Sequence, residues 1–116
     1  MKHAIFLVLA LCCSGPAIAQ THGIEGIFRL EGGSCSGEPG SAGAPAKIMR
    51  TEMIIGSLRC DFISHTPVSR MDGELRDANC EEAGRRTQTR FFLSQTRDGV
   101  VLMSRAFGLQ ELSICR

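Results

Sequence analysis

The residues with the widest chemical range in this chain are Asp61, Ser64 and His65, which share one short stretch. A serine, an imidazole and a carboxylate are the parts of a nucleophilic relay, in which the base touches the nucleophile and the acid orients the base. Neighbouring side chains on an extended strand point to opposite faces, so Ser64 and His65 are not expected to meet. A solvated turn histidine is the expected role for His65. His22 lies near the start of the mature chain, and a metal site pairing it with His65 has no third ligand in the pattern.

The acidic residues Asp72, Glu74 and Asp77 could supply an acid and base pair or oxygen ligands for calcium. On a strand Asp72 and Glu74 share one face and Asp77 takes the other, so the set is not expected to converge. Arg85, Arg86, Arg90 and Arg97 could clamp an anion, because the planar guanidinium fork matches carboxylates and phosphates. Glu81 and Glu82 stand close by in sequence, and a self-neutralised surface loop is the expected outcome. No catalytic, cofactor-binding or metal site is assigned, and no cofactor is expected. Met49, Met53, Met71 and Met103 fall in or near apolar runs and read as core filling, without the clustering that thioether metal binding needs.

The cysteines carry the clearest chemistry. The N-terminus has a charged head, Met1-Lys2-His3, then the apolar run Ala4 to Cys13 and the small-residue ending Ala17-Ile18-Ala19. This is the pattern of a cleavable secretory signal over 1–19, with cleavage before Gln20. As a helix the apolar run would span only about 15 Å, half of a bilayer core, which is too short for an anchor. The alternative is a lipid anchor on Cys12, since Leu9-Ala10-Leu11-Cys12 resembles a lipobox, with Leu11 where a small residue is usual. Cleavage would leave Cys35, Cys60, Cys80 and Cys115 in one small domain over 20–116.

Four cysteines in a small exported domain point to two disulfides, and without a CxxC pair the metal reading is weak. Three connectivities are possible. The favoured one joins Cys60 to Cys80 across a hairpin and Cys35 to Cys115 between the ends of the domain, for roughly 3 and 4.5 kcal/mol on the loop-entropy model. Without Lys2 the remaining chain has eleven arginines and Lys47 against twelve acidic residues, and no tryptophan or tyrosine. A neutral chain without such stacking rings has no footprint for nucleic acid or for an anionic membrane. Nor is membrane insertion expected after signal removal.

The elements that must position these residues read as short strands. Gly23 to Leu30 alternates. Residues 31–46 are dense in glycine, proline and serine and read as a loop tethered only by Cys35, without the Gly-Lys-Ser/Thr ending of a phosphate loop. That loop is either a flexible connection or a binding loop of the kind that inhibitors of secreted hydrolases present. Lys47 to Ile55 reads as one run, and Leu58 to Ser64 alternates. A turn is expected at His65-Thr66-Pro67, because proline cannot donate to a ladder. Val68 to Asp77 resumes the strand, and Asp77 to Arg86 reads as a charged loop. Thr87 to Thr96 and Val100 to Arg105 flank the hairpin turn Asp98-Gly99. Leu109 to Cys115 closes the chain as a strand, or as a short helix. The count predicts an all-β fold, a small antiparallel meander or barrel of six to seven strands stapled by two disulfides, since closure removes exposed edges.

The order Gly26-Ile27-Phe28, Cys35, Cys60, Cys80-Glu81-Glu82-Ala83-Gly84, Asp98-Gly99 and Cys115 resembles small exported four-cysteine proteins of proteobacteria, over nearly all of the mature chain. The resemblance implies a periplasmic location and no particular activity. The expectation is therefore a periplasmic or secreted, non-catalytic module that binds a protein or small ligand in the cell envelope. A structural or stress-related envelope protein, or an inhibitor of a secreted hydrolase, is the alternative.

Overall fold

Alternation of small or apolar residues with charged ones generates most of the architecture. Along Asp77-Ala78-Asn79-Cys80-Glu81, Ala78 and Cys80 are buried while Asn79 and Glu81 face solvent, the period of a half-buried strand. The structure, a computed structural model, describes residues 23–116; the stretch 1–19 expected to be a signal, with Cys12, and His22 lie outside the described residues. Eight strands follow one another: β1 (Gly26–Arg29), β2 (Ala46–Ile48), β3 (Glu52–Ile55), β4 (Leu58–Pro67), β5 (Gly73–Glu82), β6 (Arg85–Gln95), β7 (Gly99–Ser104) and β8 (Gly108–Ile114). Each pairs antiparallel with the next, and β8 returns to β1, closing an up-and-down barrel. The fold is all-β, as the strand pattern predicts, with eight strands rather than six or seven.

The extra strands come from two stretches whose composition hides their backbone. The run Lys47 to Ile55 divides at Met49–Thr51, where the Met49 amide donates to the Glu52 carbonyl at 2.8 Å and closes a tight turn between β2 and β3. The charged stretch Asp77 to Arg86 is not a loop but the end of β5, the turn at Ala83-Gly84 and the start of β6. Its charges face each other across the ladder, Asp77 opposite Arg90, Glu81 opposite Arg86 and Glu82 opposite Arg85. Opposite charges at such positions stabilise the pairing.

The turn expected at His65-Thr66-Pro67 lies further on, because β4 continues through Pro67 and the chain reverses over Val68–Asp72. The Val68 amide donates to the Gly73 carbonyl at 3.1 Å. Pro67 is tolerated because β3 is already finished: its last partner on β4 is Asp61, opposite Glu52. The missing donor therefore faces an unpaired edge.

Eight strands enclose a space that side chains alone can fill. Phe28, Ile48, Met53, Leu58, Phe91, Leu93, Val100, Leu102 and Leu112 fill it, and Phe107 stacks on Phe91 with ring centroids 6.1 Å apart. Of the methionines, Met53 is a core residue, whereas Met71 and Met103 are exposed, against the core-filling expectation. Gly99 is required where β7 meets β8, because a Cβ there would fall on the Leu112 carbonyl.

Both disulfides form in the favoured pairing, Cys60 to Cys80 and Cys35 to Cys115. Cys60 and Cys80 are directly opposed on β4 and β5, inside the barrel. The glycine-rich loop is better tethered than its composition suggests. Besides Cys35, the Gly33 amide donates to the Leu30 carbonyl at 2.9 Å and the Ser34 amide to the Gly43 carbonyl at 3.2 Å. Its last residues, Ala44, Pro45 and Ala46, are buried, and Ala46 already belongs to β2. Two disulfides belong to an oxidising, non-cytoplasmic compartment.

Replacing Cys60 and Cys80 together by alanine should lower the unfolding free energy by roughly 3 kcal/mol on the loop-entropy model. Denaturant titration of the double variant checks this, and an unchanged midpoint would show that the cross-strand bond does not stabilise the barrel.

Candidate functional site

A break in strand alternation decides where the candidate residues go. Phe62 faces the interior opposite Ala78, and regular alternation would place Ser64 inside as well. A β-bulge between Phe62 and Ser64 shifts the register, so that Ser64 pairs with Asp77 and His65 with Arg76. The extra residue, Ile63, is left on the outer surface, 57% exposed. Bulges re-aim side chains in this way. Ser64 thus joins the outer wall and His65 turns towards the barrel mouth, so the imagined relay is not assembled. Ser64 and His65 face different groups, and Asp61 pairs across from Asn79.

On the outer wall the Ser64 hydroxyl donates to Asp77 Oδ2 at 3.1 Å. Arg90 grips the same carboxylate through Nε at 2.7 Å and Nη2 at 3.2 Å. The guanidinium's hydrogen bond, helped by the Ser64 hydroxyl, holds the Asp77 carboxyl below the ordinary 3.8 against the opposing pull of desolvation. The same pairing raises Arg90. Ile63, Ser64, Asp77, Ala78, Gln88, Thr89 and Arg90 line an open depression of about 420 Å³. Its chemistry is mixed: one exposed aliphatic side chain, one neutralised ion pair, a hydroxyl and an amide. Such a surface can hold an uncharged or zwitterionic group. An ionised, bidentately held Asp77 is a poor general acid, because general acids need a raised pKa.

At the mouth a second polar cluster lies inside the barrel. Arg76, a residue that the sequence pattern does not single out, is wholly buried among the core side chains. Its Nε donates to Glu74 Oε1 at 2.7 Å, Nη1 to the Met49 carbonyl at 3.0 Å and Nη2 to the Ile24 carbonyl at 2.8 Å. The guanidinium also stands 4.7 Å from the centre of the Phe62 ring, a cation–π distance. His65 packs edge-on against Phe62 and brings Nδ1 to 3.7 Å from Glu74 Oε2. The Ile24 amide approaches Glu74 Oε1 at 3.4 Å. Gly23 lies so close that a Cβ would stand 3.3 Å from Arg76 Nη2. The cluster satisfies a buried charge and fastens the segment before β1 to β5.

The remaining candidates disperse. Glu74 faces the interior, Asp77 the outer wall, and Asp72 lies in the turn before β5, so the acidic set does not converge. Arg86 pairs loosely with Glu81 at 4.0 Å with both side chains largely in water, Arg90 is taken by Asp77, and Arg97 is exposed in the β6–β7 turn. Among the described residues no three histidine, cysteine or acidic side chains are grouped to hold a metal ion. Among the described residues all four cysteines, Cys35, Cys60, Cys80 and Cys115, are in disulfides and offer no thiol. The bulge is not legible from the sequence, whereas Arg76 carries a signal: it falls in phase with Ala78 and Cys80.

The chain matches no protein-family model, no curated protein and no solved structure.

Arg76→Ala would leave Glu74 and the carbonyls of Ile24 and Met49 without their partner, and should cost about 3–5 kcal/mol. Hydrogen exchange should show the Ile24 amide opening first, and a loss below about 1 kcal/mol would mean that the clasp is dispensable. Asp77 has a lowered folded pKa, so its contribution to stability is present above the unfolded value and fades as pH falls through the folded one. NMR titration should place its carboxyl below 3.8 and move it upward in Arg90→Gln; no movement would refute Arg90 as the main cause.

Proposed function

We propose that this chain is a non-catalytic binding module of the bacterial cell envelope, periplasmic or secreted, which holds a protein or small ligand on its outer wall. The observation that carries this reading is the bulge at Phe62–Ser64, which turns Ile63 outward beside the Asp77–Arg90 pair on a wall stiffened by the Cys60–Cys80 bond. The barrel core is packed with side chains, so the available surface is external. A bulge that exposes an aliphatic residue costs solvation without stabilising the core, and such devices recur beside functional sites. The signal-like N-terminus, the two disulfides and the resemblance to exported four-cysteine proteins support the location.

The distribution of charge also bears on partners. Outward positions carry Arg59, Asp61, Asn79 and Glu81 between the inward Leu58, Cys60, Ala78 and Cys80, the reverse of a membrane-spanning barrel, whose outer band is apolar. That supports a module which does not insert into the membrane. The second reading, inhibition of a secreted hydrolase, is favoured by the loop between β1 and β2. Its exposed rim, Ser34 to Glu38, is held by internal hydrogen bonds and by the Cys35 disulfide. Pre-ordering of this kind lowers the entropy lost on binding.

Native mass spectrometry of the protein taken gently from the envelope fraction should give Gln20 to Arg116 less four hydrogens, with a reproducible adduct or partner. In Ile63→Asp, an exposed change worth under about 0.5 kcal/mol in stability, that adduct should be lost. A bare mass for both proteins would remove the support for stable binding, and a diacylglycerol-sized increment on Cys12 would replace the soluble location by a lipid anchor.

A further inference from the structure

Closure of the barrel leaves one stretch of strand unpaired on one side. β6 pairs with β5 from Arg85 to Ser94, but with β7 only from Phe91 to Gln95. β7 ends at Ser104, opposite Phe91, and the chain then turns through Arg105–Phe107 into β8. No backbone bond links Arg85–Arg90 to anything but β5 among the described residues. The turn between β5 and β6 is Ala83-Gly84, with positive φ at both Ala83 (50°) and Gly84 (78°). Such a turn makes its flanking residues, Glu82 and Arg85, a mutually bonded pair. Bonded and unbonded positions alternate along an antiparallel ladder. Hence Arg86, Gln88 and Arg90 direct their amides and carbonyls away from β5, to the open edge.

An open edge is a template for another strand. The side chains restrict what that strand can be. Acids on β5 face arginines on β6, at Asp77–Arg90, Glu81–Arg86 and Glu82–Arg85, so a strand continuing the alternation carries acids. A further exposed arginine, Arg105, stands at the foot of the gap. A second copy of this chain is a poor occupant. Antiparallel self-pairing over the whole edge, in the register that this alternation allows, sets Arg90 against Arg86 of the other copy at both ends with Gln88 opposite itself, and like charges directly opposite each other are destabilising.

We propose that the edge of β6 from Arg85 to Arg90 accepts an extended acidic peptide segment of a partner protein as an added antiparallel strand. Main-chain bonds at Arg86, Gln88 and Arg90 supply the pairing, and the exposed Arg85, Arg86 and Arg105 select for acids, Arg90 being already held by Asp77. The edge's backbone groups point away from β5, whereas the Gln88 and Arg90 side chains also line the depression beside Ile63; Ile63 itself is no part of the edge, so its substitution separates the two proposals.

The probe is a capped peptide of alternating glutamate and valine, matched in length to the open edge and added to the full chain. Hydrogen exchange read by NMR should show new protection at the amides of Arg86, Gln88 and Arg90, with affinity falling as salt rises. The Ile63→Asp variant should bind the peptide equally well. Gln88→Pro removes an edge donor where the β5 ladder does not use it, and should weaken binding about tenfold, the order of one hydrogen bond. Should that variant fail to fold, a peptide N-methylated at alternate amides replaces it as the test. The proposal is overturned if those amides stay unprotected, if the methylated peptide or its arginine–valine counterpart binds as well, or if protection follows protein concentration without peptide, which would make a second copy the occupant.

Discussion

The barrel depends on a narrow seam. β1 and β8 meet only through Phe28 opposite Ile114 and Arg29 opposite Ser113, at the point where the first and last strands of the chain must find each other. Pairing the two ends of a chain costs more closure entropy than pairing neighbours, and a short ladder recovers little of it. The structure concentrates its reinforcement there. Cys115 follows β8 directly and bonds to Cys35, while its amide donates to the Ile27 carbonyl at 2.9 Å. The Ile114 amide is held by the Asp98 carbonyl at 2.8 Å. Were the seam open, β1 and β8 would both be free edges, and Phe28 and Leu112 would lose the enclosure that buries them.

Closure also fixes where chemistry can occur. Inward side chains from eight strands occupy the centre, and the one arginine admitted to it, Arg76, is matched by Glu74, two backbone carbonyls and the Phe62 ring. Because one of those carbonyls belongs to Ile24, the buried cation fastens the N-terminal segment as well as the mouth. A buried ion pair is weak evidence for stability relative to an apolar core, but breaking it is costly. What the molecule offers outward is different in kind: a bulge that exposes Ile63 beside an ion pair, and a strand edge left open where β7 is shorter than β6.

Cysteine number and order, the small-residue ending of the N-terminal segment and the alternation in Leu58–Phe62, Thr87–Gln95 and Val100–Ser104 are enough to read an all-β, twice cross-linked domain. They suffice because the period of a strand and the enclosure of cysteines in a small domain are local or compositional properties. The reversal between β6 and β7 is legible for the same reason, although it falls on Arg97-Asp98, one residue before the expected Asp98-Gly99, and Gly99 already opens β7. Asp77 to Arg86 reads wrongly as a loop because charge density resembles one until the opposing strand is known; Asp77, Glu81 and Glu82 each have an arginine opposite on β6. The split at Met49–Thr51 is hidden because apolar residues continue on both sides of a turn that lacks glycine and proline.

By itself the sequence determined the class of fold, the oxidising compartment and the inward or outward phase of most strands, since these follow from residue type and spacing along the chain. Tertiary structure alone decided the barrel's closure, the bulge that sends Ser64 and His65 to different surroundings and the open edge of β6. Each of those depends on how far one strand extends past its neighbour. That offset is set by the packing of the whole barrel, and no local pattern encodes it.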